Sequence, residues 1–339
     1  MTAQLEQIAQ AIVADGKGIL AADESTGTIK KRFDSIGAES TEDNRRDYRE
    51  MLFRSNDAME NYISGVILYD ETLRQNAKDG TPISKVISDT GALPGIKVDT
   101  GAKDLAGCAN EKVTEGLDGL RERYAEYYQL GARFAKWRAV ITIGNGIPSR
   151  TCIETNAHAL ARYAALAQEA SIVPIVEPEV LMDGPHDLER CFEVTEAALN
   201  ALYDELYAQK VILEGTILKP NMVLSGTQCG TQAGVEQVAE QTVKCLKRAV
   251  PAAVPGICFL SGGQSDEDAT AHLSAMNAMF DCPWNLSFSY GRALQAAALK
   301  AWGGKPENEA AAQAAFSHRA KMNSLAATGA WKTALEQAA

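Results

Sequence analysis

The feature that most constrains this chain is an alternation repeated eight times, in which a short apolar run is followed by a longer amphipathic one. The apolar runs fall at 18–23, 63–69, 95–99, 132–137, 171–177, 215–219, 256–261 and 284–289. Most are rich in Ile, Val, Leu and Phe, and Gly, Pro, Asp or Ser bound them, which is the signature of buried strands. Helical spacing fills the intervals. After the third run, Leu117, Leu120, Tyr124 and Tyr128 recur on one face, with Gly131 as a left-handed C-terminal stop. After the sixth, Val235, Val238, Thr242 and Leu246 do the same until Pro251. Further helices are expected at 42–54, 150–169, 186–209, 266–279 and 292–302, while the second connection, around 82–88, is weak. Near-continuous hydrophobic strands alternating with helices specify a parallel sheet covered on its outer face. Eight such units in 339 residues leave no room for a second domain. The expectation is one (β/α)8 TIM barrel spanning 1–339, with extra helices at 5–14 and 308–327. An open doubly wound sheet is the alternative, but no Gly-x-Gly-x-x-Gly opens a helix after the first strand.

The bulk properties exclude several classes of function. A balance of 33 basic and 44 acidic side chains, net −11, speaks against general nucleic-acid binding and against a basic membrane-surface protein. The first residues lack the basic and apolar segments of a signal peptide, and no apolar stretch approaches the ~18 residues of a membrane span. Seven dispersed cysteines form no Cys-x-x-Cys pair and fit reduced thiols of a cytoplasmic protein. His158, His186, His272 and His318 are isolated, so no three-histidine metal site is visible and no metal or cofactor is expected.

Three lysines interrupt apolar runs: Lys97 in GIKVD, Lys136 in AKWR and Lys219 in ILKPNMV. Lysine is depleted from strands and is seldom buried without a partner or a task. Amines crowded in a low-dielectric cleft repel one another, and desolvation adds to the effect, so the pKa of one is expected to fall toward neutrality. That is the requirement for a lysine that attacks a carbonyl. In a barrel of this kind the C-terminal strand ends carry the site. The polar residues there are Asp23, Lys97 with Asp99, Lys136 with Arg138, Glu177 with Glu179, Lys219, Ser261 and Ser289. Residues i and i+2 of a strand share a face, which sends Lys136 with Arg138, and Glu177 with Glu179, into one cavity. The turns Ser261-Gly262-Gly263 and Ser289-Tyr290-Gly291-Arg292 follow the seventh and eighth strands, where such barrels commonly hold phosphate. Backbone N–H groups and the helix dipole favour the anion, and Arg292 can add a bidentate contact.

These motifs resemble the class I fructose-1,6-bisphosphate aldolases. The resemblance rests on GILAADESTG at 18–27, GIKVD at 95–99, IVEPE at 175–179, LEGTILKPNM at 213–222, FLSGGQ at 259–264 and FSYGRAL at 288–294. It runs from about residue 8 to about residue 328. It implies a metal-free cytoplasmic homotetramer of glycolysis and gluconeogenesis that acts on sugar phosphates and needs no cofactor. On matching positions it implies that Lys219 is the Schiff-base nucleophile and Glu177 the proton shuttle of carbinolamine chemistry. Asp23 and Lys136 would hold and deprotonate the substrate at carbon–carbon cleavage. Ser261, Gly262, Gly263, Ser289, Gly291 and Arg292 would form the phosphate site near the ketone. Ser25, Thr28, Arg32, Arg45, Lys97, Arg138 and Glu179 would line the rest of the groove. Eukaryotic members carry a C-terminal tyrosine that assists proton exchange at the product enamine. No tyrosine follows Tyr290 in this sequence, so the C3 proton is expected from Glu177 or Asp23. Two other readings stand beside this one. A transaldolase-like Schiff-base enzyme would lack cations for a second phosphate, and a catalytically idle scaffold barrel would have lost at least one of the four central residues.

Overall fold

The computed structural model describes residues 2–337. Eight parallel strands close into a barrel in sequential order: β1 (Gly18–Ala22), β2 (Ile63–Leu68), β3 (Leu93–Lys97), β4 (Phe134–Ile141), β5 (Val173–Val180), β6 (Ile217–Leu218), β7 (Gly256–Phe259) and β8 (Asn285–Tyr290). Helices on the outside include Glu42–Phe53, Leu120–Gln129, Arg150–Glu169, Leu188–Ala208, Val235–Ala249, Asp266–Met279 and Arg292–Trp302. Thr2–Ile12 and Glu309–Ala327 are the flanking helices anticipated at the two ends. None of the described helices is long and apolar enough to cross a membrane.

Strand alternation builds the interior. Ile19 and Ala21, Ile67, Phe134, Val173 and Ile175, Ile217 and Cys258 point inward and form one buried cluster. The helix Thr2–Ile12 closes the lower opening, adding Leu5, Ala9 and Ile12 to the same cluster. The inner layer depends on two missing side chains. A Cβ on Gly95 would lie 2.3 Å from the Phe134 ring, and one on Gly65 would lie 2.9 Å from it. Phe134 therefore occupies space left by glycines on the two preceding strands.

The strands differ from expectation most at β4, β5 and β6. β4 and β5 continue to Ile141 and Val180, pairing residue by residue along eight positions. Arg138 and Glu179 do not end them, because the two charges meet across the strands. β6 has only two residues, between the turn Leu213–Gly215 and Pro220, which has no N–H to give. Lys219 N–H still donates to the Val176 carbonyl at 2.8 Å and the Pro220 carbonyl accepts from Leu260 N–H at 3.1 Å, and side chains take over beyond them. Asn221 Oδ1 accepts from Val180 N–H at 3.0 Å, and Thr242 Oγ1 accepts from Val223 N–H at 2.9 Å. The second connection holds two short helices, Asp70–Arg74 and Ile83–Asp89. After β3 an antiparallel hairpin, Gly101–Asp104 with Lys112–Glu115, stands outside the barrel. Only Thr114 of its two strands is buried, and Ala102 and Val113 are their only apolar side chains, so there is no apolar run to read.

Gly95→Ala is expected to destabilise the protein by about 1–3 kcal/mol, since the added methyl must displace Phe134 in a filled core. Urea denaturation measures this, and Phe134→Leu in the same chain should recover part of the loss.

Candidate functional site

The inward parity that fills the lower barrel with Ile19, Ala21, Phe134, Ile175 and Ile217 continues upward into charge. Two residues beyond Ala21 comes Asp23; beyond Phe134, Lys136; beyond Ile175, Glu177; beyond Ile217, Lys219. All four line a cavity of about 480 Å³ at the C-terminal ends of the strands. Their side chains are largely withdrawn from water: Lys136 and Lys219 are 5% exposed, Glu177 4% and Asp23 13%.

The charges alternate in space. Lys136 Nζ lies 2.8 Å from Asp23 Oδ2 and 3.2 Å from Glu177 Oε2. Lys219 Nζ lies 3.2 Å from the other oxygen, Glu177 Oε1. Glu177 Oε2 has no aligned hydrogen bond despite its near cation, so these are ion contacts with room to rearrange. Burial works against ionisation of Asp23, but Lys136, Lys219 and Lys97 outweigh it and hold the carboxyl well below the usual range. Glu177 is lowered in the same manner, against burial, by Lys136, Lys219 and Arg138. Lys136 is not the lowered amine that crowding was expected to produce. Burial pulls it down, but Asp23 and Glu177 hold it well above the ordinary lysine value. The sequence shows three lysines converging; it does not show that carboxylates stand between them.

Sixteen of the seventeen residues that the resemblance implied for the site line this one cavity, while Asp99, also at a strand end, does not and accepts from Gly101 N–H instead. Ser261, Gly262 and Gly263 follow β7, with Gly263 at φ +98°, a conformation that favours glycine. Ser289, Gly291 and Arg292 follow β8, and the Ser289 hydroxyl is buried without a partner. Arg292 begins an eleven-residue helix with its guanidinium 3.2 Å from Asp266. Ser25 and Thr28 share a hydrogen bond of 3.1 Å where the chain leaves β1. Arg32 pairs with Glu24 and lies beside Gly291, so it belongs to the β8 side of the cavity. On the far wall Arg138 pairs with Glu179. Lys97, 5.5 Å above the Tyr69 ring, has no carboxylate within 4 Å among the described residues.

Arg45 is the exception. It is buried outside the cavity lining, and its guanidinium is bonded to Glu71 and to the Ser40 carbonyl. Its distance in sequence from Glu71 hid that pairing. The sequence reading also left out Glu24, Leu181, Met182, Asp183 and Thr227, which complete the wall. Glu24 carried one usable signal, its place directly after the strand-end Asp23. The others sit on loops with no periodicity to mark them.

This arrangement can perform carbonyl chemistry through an amine. It offers a buried lysine in contact with a carboxylate, a second ion pair beside it, and glycine turns with cations around the opening. Comparison with known proteins agrees. Residues 4–339 match the family model described as fructose-bisphosphate aldolase class-I. A probable fructose-bisphosphate aldolase class 1 of Xanthomonas campestris is 63% identical over 97% of this chain and 98% of its own length. Fructose-bisphosphate aldolase C of Carassius auratus is 55% identical over 96% of this chain and 90% of its own. The solved structure of fructose-bisphosphate aldolase from Plasmodium falciparum superposes with a TM-score of 0.95 at 48% identity, covering 97% of this chain and 95% of that one. From motif, barrel and alternating charge alike, the chain belongs to the class I fructose-bisphosphate aldolases.

Proposed function

We propose that this chain reversibly cleaves D-fructose 1,6-bisphosphate to dihydroxyacetone phosphate and D-glyceraldehyde 3-phosphate through a Schiff base on Lys219. The observation that carries the proposal is the contact of buried Lys219 with Glu177 at 3.2 Å, in a cavity with cationic groups on both walls. Lys219 Nζ, having given its proton to Glu177, adds to the C2 ketone. A second proton passes from Nζ to the former carbonyl oxygen to give the carbinolamine, and the Glu177 proton then carries that hydroxyl away as water, leaving an iminium. A base takes the C4 hydroxyl proton, the C3–C4 bond breaks, and its electron pair moves into the iminium to form an enamine. The iminium is thus the electron sink, so the scheme requires no metal. Asp23, held ionised, is the proposed base, and Lys136 orients it and steadies the developing aldehyde. The proton taken by Asp23 passes through Lys136, which contacts both carboxylates, to Glu177, the proposed donor at C3 that turns the enamine back into an iminium before water releases dihydroxyacetone phosphate.

The glycine turns after β7 and β8, with Ser289 and Arg292, are the proposed site for the phosphate next to the ketone. Lys97 and Arg138 on the opposite wall suit the second phosphate, and gripping both ends converts binding energy into alignment of the reacting bond. These cations favour a bisphosphate over a transaldolase-like substrate. A homotetramer in the cytoplasm completes the reading, the compartment supported by seven unpaired cysteines. Sedimentation velocity should show four chain masses.

Borohydride with dihydroxyacetone phosphate should fix the substrate covalently to Lys219, with or without prior EDTA treatment. Lys219→Met should abolish trapping and turnover in a folded protein; label on Lys97 or Lys136 would overturn the assignment. Lys136→Met removes the cation between Asp23 and Glu177. It should cost about 3 kcal/mol of stability by urea denaturation and lower kcat roughly a hundred- to ten-thousandfold. A kcat near that of the parent would exclude Lys136 from the cleavage step.

A further inference from the structure

Gln264 closes the turn after β7 and is tied to three parts of the site at once. Its backbone carbonyl accepts a hydrogen bond from the Arg292 guanidinium. Its side-chain Nε2 lies 3.4 Å from Sδ of Met222, three residues beyond Lys219. The same Nε2 lies 2.6 Å from Nδ1 of His272, on the helix Asp266–Met279. Gln264 and His272 are each 6% exposed, and neither lines the cavity. The amide is therefore a hub behind the wall, joining the segment that carries Lys219 to the turn and to the cation proposed for phosphate.

The chemistry of the hub depends on the imidazole. With Nε2 of Gln264 as donor, Nδ1 of His272 must be an unprotonated acceptor. Burial pushes His272 down to about 4, which keeps the ring neutral at physiological pH. The remaining contact is a thioether, a weak acceptor, and the amide Oε1 is buried without any partner. The Gln264 side chain is thus anchored at one end, and the imidazole supplies the strong half of that anchor. Without it, a buried amide would lose its main acceptor and turn toward other polar groups, carrying the backbone carbonyl with it.

We infer that His272 is a positioning residue for the phosphate end of the cavity: by pinning the Gln264 side chain, it fixes the carbonyl against which Arg292 is aimed. The inference rests on the reading of Arg292 and the glycine turns as the ketone-side phosphate site. His272 touches no substrate and takes no part in proton transfer.

The test compares His272→Leu, which keeps bulk but removes the acceptor, with His272→Asn, whose amide oxygen can stand near the place of Nδ1. The readouts are the dihydroxyacetone phosphate concentration giving half-maximal borohydride trapping at Lys219, and competition of that trapping by inorganic phosphate. In His272→Leu both should weaken about tenfold, the worth of one buried hydrogen bond, while kcat and trapping at saturation stay within about twofold. His272→Asn should return to within about threefold of the parent. Gln264→Met, which removes the amide and leaves the imidazole in place, should reproduce the leucine variant; it serves as the deciding comparison should His272→Leu show no cooperative thermal transition. A lower melting temperature with unchanged half-saturation and phosphate competition would mean that His272 only packs, and would overturn the inference. So would a fall in kcat with half-saturation unaltered. Failure of the parent protein to trap substrate at all would instead refute the Schiff-base reading, so the two failures are separable.

Discussion

The structure turns on one electrostatic arrangement, the row Asp23, Lys136, Glu177, Lys219 in a largely dry barrel mouth. Any one of these charges alone at that depth would cost several kcal/mol of desolvation or would neutralise itself. Set in alternation, each carboxylate is held ionised by the amines on either side, and Lys136 is held protonated by its acids. Taking a proton from or adding one to any member changes the balance for the next. A reaction that moves protons among carbonyl oxygen, hydroxyl and carbon needs such a chain of groups, each able to answer its neighbour.

The barrel is what permits four strands to contribute one charge each. Parallel strands with a period of two place their inward residues in layers, so an apolar layer of Ile, Ala and Phe is followed, one step up, by the charged layer. Both layers were legible in the sequence as apolar runs ending in Lys, Asp or Glu. Local periodicity also located the helices Arg150–Glu169, Asp266–Met279 and Arg292–Trp302 to the residue. The glycine turns could be placed because their strand order was known.

What could not be read depends on contacts between distant residues. Arg45 looked available until Glu71, twenty-six positions on, was seen to occupy it. Counting lysines alone does not show that Lys136 is raised, because Asp23 reaches it from the end of a strand more than a hundred residues earlier. The strands β4 and β5 were expected to end at Trp137 and Glu177, but Arg138 and Glu179 neutralise each other and the ladder runs on. Met182 and Thr227 meet only because two loops cross the mouth, Thr227 N–H donating to the Met182 carbonyl at 2.7 Å. In each case the sequence showed the groups and concealed the partner.

The brevity of β6 has a consequence for inheritance. Main-chain hydrogen bonds exist whatever the side chains are, so a strand held by its ladder tolerates most substitutions without losing its place. The segment bearing Lys219 has a two-residue ladder followed by single main-chain bonds at Lys219 and Pro220, and from there on Asn221 and Thr242 make the bonds a longer strand would have made. Those bonds can be deleted by a single codon change. The course of the chain just beyond Lys219 is therefore encoded in two residues that neither line the cavity nor carry charge, and a lineage losing them could keep every group of the site while shifting the segment that follows Lys219.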